Sequence, residues 1–578
     1  MAKPALDVTS LIDPDLLAVD IADKWREWST LRQKWVDEKK ELRNFLYATD
    51  TTTTSNKALP WMNSTTTPKL TQIYDNLKAN YISALFPTAN PTWMRWSAEG
   101  KDGLDRDKSK IILAYMQNKL RQSKFELTVD HLIDDFILYG NCFGQVSFEK
   151  LYKEVDGNQI VEYIGPKLNR ISPLDIVFNP TASSFSATPK VVRSLITLGE
   201  LKREIIAGNT QYEEVFKRIL SNRTTVGRGT NFDKSDGFIA DGFSSIEHYY
   251  GSAYVELLTF YGDIYDMETQ DFKERKMITV VDRAYILSEE DIPSWLGHDG
   301  IFHSGWRNRP DNLYAMGPLD NLVGLQYRID HLENLKADVF DQIAIPILVV
   351  RGDVEDFDYT PGTRIYTGEE GDVRALVPDA TALNADFQIQ MLEQKMEELA
   401  GAPKNAMGIR TPGEKTAFEV QSLQNAASRI FQDKATKFEK EFIEPILLSM
   451  LEAARRNLDE ADSIRVFDDP TGATFFRTIT RDDLVAKGSI VPVGARHFAE
   501  RATRIQNLNQ LIQIKQDPSV GAHLSGKEIA RLLSEELGED SLFGEGIAIK
   551  EQQELATKTQ DAEAQMMSRA QTAAETGL

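Results

Sequence analysis

The sequence predicts an α+β fold that is mainly helical, and three observations support this prediction. Apolar residues recur at helical spacing over long stretches of the chain. Shorter runs that alternate and are rich in Tyr, Val and Ile lie between them and are typical of antiparallel strands. Hydrophobic residues make up 41% and charged residues 27% of the 578 positions, a balance that excludes wholesale disorder. The length allows about three to five domains.

Two helices are predicted in the first part of the chain. The first runs from about Leu16 to Ala48 and places four aromatic residues on or near one stripe: Trp25, Trp28, Trp35 and Phe45. The run TDTTTTSNKALPWMNSTTTP follows without periodicity, which predicts a loop or an extended arm. The second helix covers Lys69–Leu85 and is ended by the two prolines of FPTANPTW.

The rest of the N-terminal half mixes helices and strands. A helical pattern runs from Arg106 to Tyr139, and YGNCFGQVSFEKLY then switches to alternation. A charged helical segment lies between Gly199 and Thr230. Antiparallel strands are predicted over Tyr254–Tyr265 and Phe272–Leu287.

The second half has longer helices. Gly317 and Pro318 open a helix that runs to about Ala344, and a second helix covers about Asn384 to Leu399 after a segment of short strands and turns. The longest helix is predicted from Thr416 to about Asn457. A capping box marks its start and a proline should kink it, the residues being Thr416, Glu419 and Pro445. Residues 463–495 contain strands, and helices resume from Arg496.

The chain is strongly acidic. Its 66 basic and 88 acidic residues give a net charge of −22 at pH 7, so any contact with nucleic acid must be local or weak. The single cysteine, Cys142, excludes a disulfide within the chain and is expected to be a small buried residue. The N-terminus lacks a secretory signal pattern, and no apolar run approaches the ~20 residues of a spanning helix. We therefore expect a cytosolic product without a membrane segment.

No motif for catalysis, a cofactor or a metal stands out. The nearest to a phosphate-binding loop is GIRTPGEKT, residues 408–416, where the inserted Glu414 displaces Lys415 and adds a repelling carboxylate. His298 and His303 lie five residues apart around a glycine, which indicates a turn and not a metal site. We expect no cofactor, no metal and no enzymatic activity, with a nucleotide-driven enzyme at residues 408–416 as the alternative.

The order of segments in the second half resembles the portal, or head-to-tail connector, proteins of tailed bacteriophages, in particular those of short-tailed phages. Two stretches carry the resemblance: GPLDNLVGLQYRIDHLENLKADVFDQIAIPILVV and RTPGEKTAFEVQSLQNAASRIFQDKATKFEKEFIEPILLSML. Within the second, Gly413–Val420 is similar to the family's signature at the start of the long helix. The segments ILYGNCFGQVSFEK, RISPLDIVFNP and TITRDDLVAKGSIVPVGA resemble portal wing segments.

The resemblance implies a portal fold with wing, stem, clip and crown, assembled as a ring of twelve copies. It divides the chain into a wing at 1–316 and 416–495, stem helices at 317–345 and 383–402, a clip at 346–382, a tunnel loop at 403–415 and a crown at 496–578. The ring would be the channel for packaging and ejecting double-stranded DNA at one capsid vertex of the virion. The terminase large subunit and later the head–tail adaptor and tail proteins would dock on the clip. The wing would meet the major capsid and scaffolding proteins, all made in the host bacterial cytoplasm.

The same resemblance assigns candidate sites. In the tunnel loop, contacts to the DNA backbone without sequence specificity are expected from Lys404, Arg410 and Lys415, with Asn405 as a neutral donor. Charges at the clip tips are candidates for docking motor and adaptor: Arg351, Asp353, Arg364, Glu369, Glu370 and Arg374. PILVVRG and TRIYTG are candidate edge strands that pair with the next copy. The alternatives are solvated turns for each residue, and another ring-forming minor capsid or scaffold protein for the chain.

Overall fold

A computed structural model describes residues 4–47, 63, 65–86, 93–98, 103–155, 158–206, 212–223, 254–352, 354–355, 364–376, 384–400, 430–458, 462–468, 473–484 and 488–492. These residues form a mixture of helices and sheets, which confirms the α+β prediction. The helices, in chain order, are α1 (Pro14–Leu46), α2 (Lys69–Leu85), α3 (Gly103–Gln122), α4 (Phe125–Leu138), α5 (Leu198–Ile206), α6 (Tyr212–Arg223), α7 (Val323–Ala344), α8 (Asp386–Ala400) and α9 (Glu444–Asn457).

Two larger sheets and several strand pairs are present in the described residues. The largest sheet has the order β5 (Ile176–Phe178), β6 (Lys190–Thr197), β7 (Tyr254–Asp266), β8 (Phe272–Val281) and β9 (Tyr285–Asp291), with β1 (Ala5–Val8) parallel to β7. A three-stranded sheet has the order β10 (Ile301–Gly305), β3 (Asn141–Val155) and β4 (Asn158–Ile171). The pairs are β2 (Met94–Ala98) with β17 (Gly488–Pro492), β11 (Arg307–Arg309) with β12 (Asn312–Met316), β13 (Ile347–Arg351) with β14 (Asp372–Leu376), and β15 (Asp462–Asp468) with β16 (Ala473–Ile479).

Helix α1 lies across two apolar cores and buries its aromatic stripe. Asp13 caps the helix by accepting a hydrogen bond from the Asp15 backbone N–H at 3.0 Å, and Pro14 occupies the first helical position. All four aromatic residues of the stripe are buried: Trp25, Trp28, Trp35 and Phe45. The first two pack with side chains of the six-stranded sheet, and the other two belong to the main core.

The main core joins the two halves of the sequence. Phe136 of α4 lies between Tyr81 of α2, at a ring-centroid distance of 5.8 Å, and Phe438, at 4.9 Å. Cys142 at the start of β3 is fully buried in this core, as predicted. Burial of residues from such distant parts of the sequence removes much apolar surface from water, which stabilises the arrangement.

The helix predicted over Arg106–Tyr139 is in fact two helices. Lys124 has a left-handed backbone, with φ of 55°, and separates α3 from α4. No glycine or proline stands at this break, so residue propensity alone could not locate it. The predicted charged helical segment between Gly199 and Thr230 contains α5 and α6.

A close backbone contact ties the start of β3 to the start of the second half. Gly140 has φ of +70°, and a Cβ at this position would lie 2.3 Å from the backbone nitrogen of Gly317. Only glycine fits such a position. The neighbouring Asn141 side chain donates to the carbonyl of Ala315 at 3.0 Å and accepts from its N–H at 2.9 Å. These contacts fix the chain just before α7.

Helix α7 begins at Val323, later than the predicted start at Gly317 and Pro318. The Asp320 carboxylate accepts a hydrogen bond from the Gly317 N–H at 2.8 Å, and the intervening residues form turns. The helix then spans 22 residues, about 33 Å at 1.5 Å per residue.

The last long helix is irregular next to Pro445, where the sequence predicts a kink. Residues 430–438 are α-helical, Glu439–Ile443 form one π-helical turn, and α9 continues from Glu444. Proline lacks the N–H of a regular helix, and a widened turn accommodates it. The predicted start of this helix, with Thr416 and Glu419, lies outside the described residues.

Candidate functional surfaces

The predicted tunnel loop lies outside the part of the chain that the structure describes. This applies to its candidate DNA-contact residues, which are Lys404, Asn405, Arg410 and Lys415. It also applies to the GIRTPGEKT segment and to the predicted crown, residues 496–578. The roles assigned to these residues stay predictions. On either side of the loop, the described chain ends with α8 at Ala400 and resumes at residue 430.

An antiparallel hairpin follows α7 in the region predicted as the clip. Strand β13 pairs with β14, with Ile347 opposite Leu376 and Arg351 opposite Asp372. Apolar side chains on both strands are exposed, including those of Ile347, Val350 and Leu376. A two-stranded hairpin with exposed apolar side chains is marginal by itself in water.

The hairpin brings three of the predicted docking residues, Arg351, Glu369 and Glu370, to one end. Gly352, with φ of +76°, follows Arg351, and a Cβ there would lie 2.4 Å from the Glu370 carbonyl oxygen. The turn at Glu369 and Glu370 therefore touches the chain that leaves β13. Five of the predicted docking residues are exposed: Arg351, Arg364, Glu369, Glu370 and Arg374. The sixth, Asp353, lies outside the described residues.

One of the two predicted edge strands is absent from its described residues. PILVVRG contains β13, as expected, but in TRIYTG only Thr367 makes an isolated bridge, to Val354. The strand opposite β13 is instead DVRAL, residues 372–376. A turn closed by the Gly371 N–H on the Gly368 carbonyl at 3.0 Å separates TRIYTG from β14, and the Glu355 N–H donates to the Tyr366 carbonyl of TRIYTG at 3.3 Å.

Two ion pairs involve α8: one joins it to α7 and the other joins it to α2. The Lys336 ammonium of α7 lies 2.5 Å from the Asp386 carboxylate of α8 in an exposed position. The Lys69 ammonium at the start of α2 lies 2.7 Å from the Glu397 carboxylate of α8, and both side chains are buried. Sequence reasoning missed this second pair because 328 residues separate its members.

A polar ladder holds the end of the threonine-rich arm along α7. Four helix side chains spaced one turn apart make it: Gln326, Asp330, Asn334 and Asp338. They bond to the backbone of residues 63, 65 and 67, so the arm runs antiparallel to the helix. Four helical residues rise about 6 Å and two extended residues about 6.6 Å, so the two repeats match closely. Sequence reasoning missed this ladder, although polar residues at a spacing of four along α7 are a signal that could have indicated it.

Asp330 is the most unusual member of the ladder. Its Oδ1 accepts from the Thr67 N–H at 2.9 Å and from Gln326 Nε2 at 2.8 Å. Its buried Oδ2 has no hydrogen-bond partner among the described residues. Burial raises the pKa of this carboxyl to about 6, against the opposing effect of the two hydrogen bonds. His331, next to it, is exposed.

One group of side chains in the described residues has the geometry of metal ligands. It consists of Asp130, His131 and Asp134 on α4. However, the Lys78 ammonium lies 3.0 Å from the Asp130 carboxylate and 2.8 Å from that of Asp134. The lysine already supplies the positive charge that these carboxylates need, so we assign no metal to them.

The histidines of HDGIFH do not form a ligand pair either. The side chain of His303 is partly buried, and its imidazole lies 2.9 Å from the Asn141 side-chain oxygen. Burial, followed by the positive charges of Lys437 and Lys190, lowers the pKa of His303 to about 3. A neutral imidazole between aromatic rings, 4.8 Å from that of Phe143, is a structural element of the core.

Comparison with known proteins adds no assignment: no protein-family model and no curated protein matches this sequence. Among the helices that the structure describes, none combines the length and apolar character needed to cross a lipid bilayer.

Proposed function

We propose that this chain is a phage portal protein, one of twelve subunits in a ring that forms the DNA channel at a capsid vertex. The terminase large subunit and later a head–tail adaptor would dock on the β13–β14 hairpin, and the wing would contact capsid and scaffolding proteins. The protein has no catalytic role in this proposal, because the energy for DNA movement comes from the docked motor. Its place in the virion is the head–tail interface.

The observation that carries the proposal is that large apolar side chains on the outer halves of the helix pair and on the hairpin are exposed among the described residues. In α7, Ile329 and Leu332 are buried near the wing, whereas Phe340 is 56% exposed and Ile345, just beyond the helix, is 69% exposed. On α8, Phe387 is 75% exposed. A monomer that exposed such large side chains in one region would be prone to association, and copies arranged around an axis would cover them.

The charge of the chain suits a channel for a polyanion. Duplex DNA carries one negative charge per ~1.7 Å, and each phosphate neutralised by Lys or Arg adds salt-sensitive affinity. A wall that neutralised many phosphates would hold DNA instead of letting it slide. A subunit charge of −22, repeated around the ring, keeps such contacts few.

The order of segments supports the same assignment. A helix, an exposed hairpin and a returning helix are followed by the predicted tunnel loop and then by a long helix with a π turn. Portal proteins share this order of stem, clip, stem, tunnel loop and wing helix, as the resemblance implies. The buried Lys69–Glu397 pair would then join the wing to the stem.

Imaging of the purified protein tests the proposal. We expect negative-stain images of a twelve-fold ring with a central hole, and a native mass of twelve chains of 65.2 kDa each. Phe387→Asp should weaken ring formation, because it places a charge on the uncovered face. Ile206→Asp is the matched control, since Ile206 is 76% exposed but lies on α5, which packs on β6 and α6. A compact monomer at all concentrations, with or without DNA, would refute the proposal.

A further inference from the structure

Two basic side chains lie over one buried indole, and a third donates to the carbonyl of the residue that precedes this indole in the sequence. Arg307 starts β11, and Lys434 and Lys437 lie on the helical residues 430–438. We call these three residues the basic cluster. The indole belongs to Trp306, which is 2% exposed and donates its N–H to the Tyr81 hydroxyl at 3.0 Å.

The cluster is held in place by specific contacts. The Arg307 guanidinium carbon lies 5.1 Å from the centroid of the Trp306 ring, and the Lys434 ammonium lies 5.3 Å from the same centroid. The Lys437 ammonium donates to the Gly305 carbonyl at 3.0 Å. Side chains fixed in this way give up little further conformational freedom when they bind an anion.

The positive charges of the cluster are poorly balanced. The closest carboxylates stand at the limit of an ion pair: Asp433 lies 4.0 Å from Lys434, and Glu441 lies 3.7 Å from Lys437. Within the described residues, no carboxylate lies within 4.0 Å of Arg307. Burial lowers the pKa of Lys434, and the charges of Lys437 and Arg307 lower it further, against the opposing effect of Asp433 and Glu441. Excess positive charge in a chain of net charge −22 points to an external anion.

We propose that the basic cluster is a contact site for the phosphate backbone of duplex DNA, separate from the predicted tunnel loop. The proposal rests on the proposed function. Because Trp306 is buried, its ring is not available for stacking on a base, so the contact is to phosphates and carries no sequence information.

The first test measures binding of a fluorescent duplex to the full-length protein over a range of salt concentrations. The triple variant Arg307→Gln, Lys434→Gln, Lys437→Gln should bind more weakly. The slope of log K against log salt should fall by about 0.9 for each phosphate that the variant no longer neutralises. The control is Lys217→Gln on α6, whose lysine is exposed and 3.2 Å from Glu213. An unchanged affinity and slope in the triple variant would overturn the proposal.

The second test identifies the residues directly, in the unmodified protein. Lysine acetylation followed by mass spectrometry should show that duplex DNA protects Lys434 and Lys437 but not Lys217. Equal modification with and without DNA would overturn the proposal. Particle size measured on the same sample separates the two ideas: rings without protection refute this site alone, whereas the absence of rings refutes the proposed function. The triple variant should stay folded, since removing like charges relieves repulsion, and its melting temperature checks this.

Discussion

Asn334 and Thr65 exchange two hydrogen bonds across 269 residues of sequence. The Thr65 N–H donates to Asn334 Oδ1 at 2.8 Å, and Asn334 Nδ2 donates to the Thr65 carbonyl at 3.0 Å. One side-chain amide of α7 thus satisfies both backbone groups of an arm residue, as a neighbouring strand would. The pair fixes the register of the arm on α7, and through the arm it sets where α2 begins.

Substitution of this amide should release the arm. Asn334→Ala leaves the Thr65 N–H and carbonyl without their partners, and a decrease of about 1–3 kcal/mol in the free energy of unfolding is expected. Hydrogen exchange of the peptide that contains Thr65 should become faster. His331→Ala, an exposed change on the same helix, is the control and should alter neither quantity. Unchanged exchange in Asn334→Ala would show that the arm is held elsewhere.

The buried pair of Lys69 and Glu397 should be far more sensitive than the exposed pair beside it. Lys69→Met leaves the Glu397 carboxylate buried without its ammonium, which costs about 3–5 kcal/mol. Lys336→Met removes the exposed partner of Asp386 and should cost less than about 1 kcal/mol. Urea unfolding of both variants measures the difference.

A double variant makes the test of this pair stricter. Lys69→Met with Glu397→Leu removes both charges, so the double variant should recover part of the stability that the single variant lacks. Equal midpoints for Lys69→Met and Lys336→Met would show that the buried pair does not join α2 to α8 in solution.

Periodicity predicted most helices and strands, because the spacing of apolar residues within one helix or strand is visible in the local sequence. The stripe with Trp25 and Trp28 is one example, and both residues are buried. The break at Lys124 and the late start of α7 could not be predicted, since a left-handed lysine and the Asp320 side-chain contact override propensity. Strand pairing was harder still to predict. The strand opposite β13 comes after the turn between Gly368 and Gly371, and the alternation of apolar residues does not show where this turn lies.

Candidate sites were less predictable than elements. The resemblance assigned Arg351 and Glu370 to the clip tips, and both are exposed at one end of the hairpin. The polar ladder and the basic cluster depend on contacts between distant segments. Asn63 with Asp338, and Arg307 with Lys434, meet only after folding, so neither group forms a motif.

Asp330 should make the stability of the fold depend on pH. Its pKa of about 6 in the folded protein exceeds the ordinary value of 3.8, so the folded state binds the proton more tightly. The resulting stabilisation is complete below pH ~4 and is lost as the pH rises through about 6. The amide of Asp330→Asn does not titrate in this range, so the variant lacks this contribution to the pH dependence. Its stability relative to the natural protein should therefore increase from pH 4 to pH 7.

Urea midpoints at several pH values between 4 and 7.5 measure this trend. Asp135, whose pKa burial raises to about 6 despite its contact with Arg170, adds a dependence in the same range to both proteins. The difference between variant and natural protein therefore isolates Asp330. Ile206→Ala, which changes an exposed apolar residue on α5 and removes no titrating group, is the control, and its difference should be constant with pH. A constant difference for Asp330→Asn as well would contradict the assignment.

The tunnel-loop charges give the prediction that bears most directly on DNA movement. Arg410→Glu with Lys415→Glu should impair packaging and retention of DNA, because it replaces two candidate phosphate contacts with repelling carboxylates. Packaged DNA per particle, measured in phage that carry the variant protein, is the readout. Ring formation should persist, as the two residues belong to neither α7 nor α8.

Combining these changes with the triple variant of the basic cluster should lower the packaged DNA per particle further than either set of changes alone, if both sites contact the same duplex. Normal packaging and retention in the double charge reversal would reject the role of the loop while leaving the ring intact.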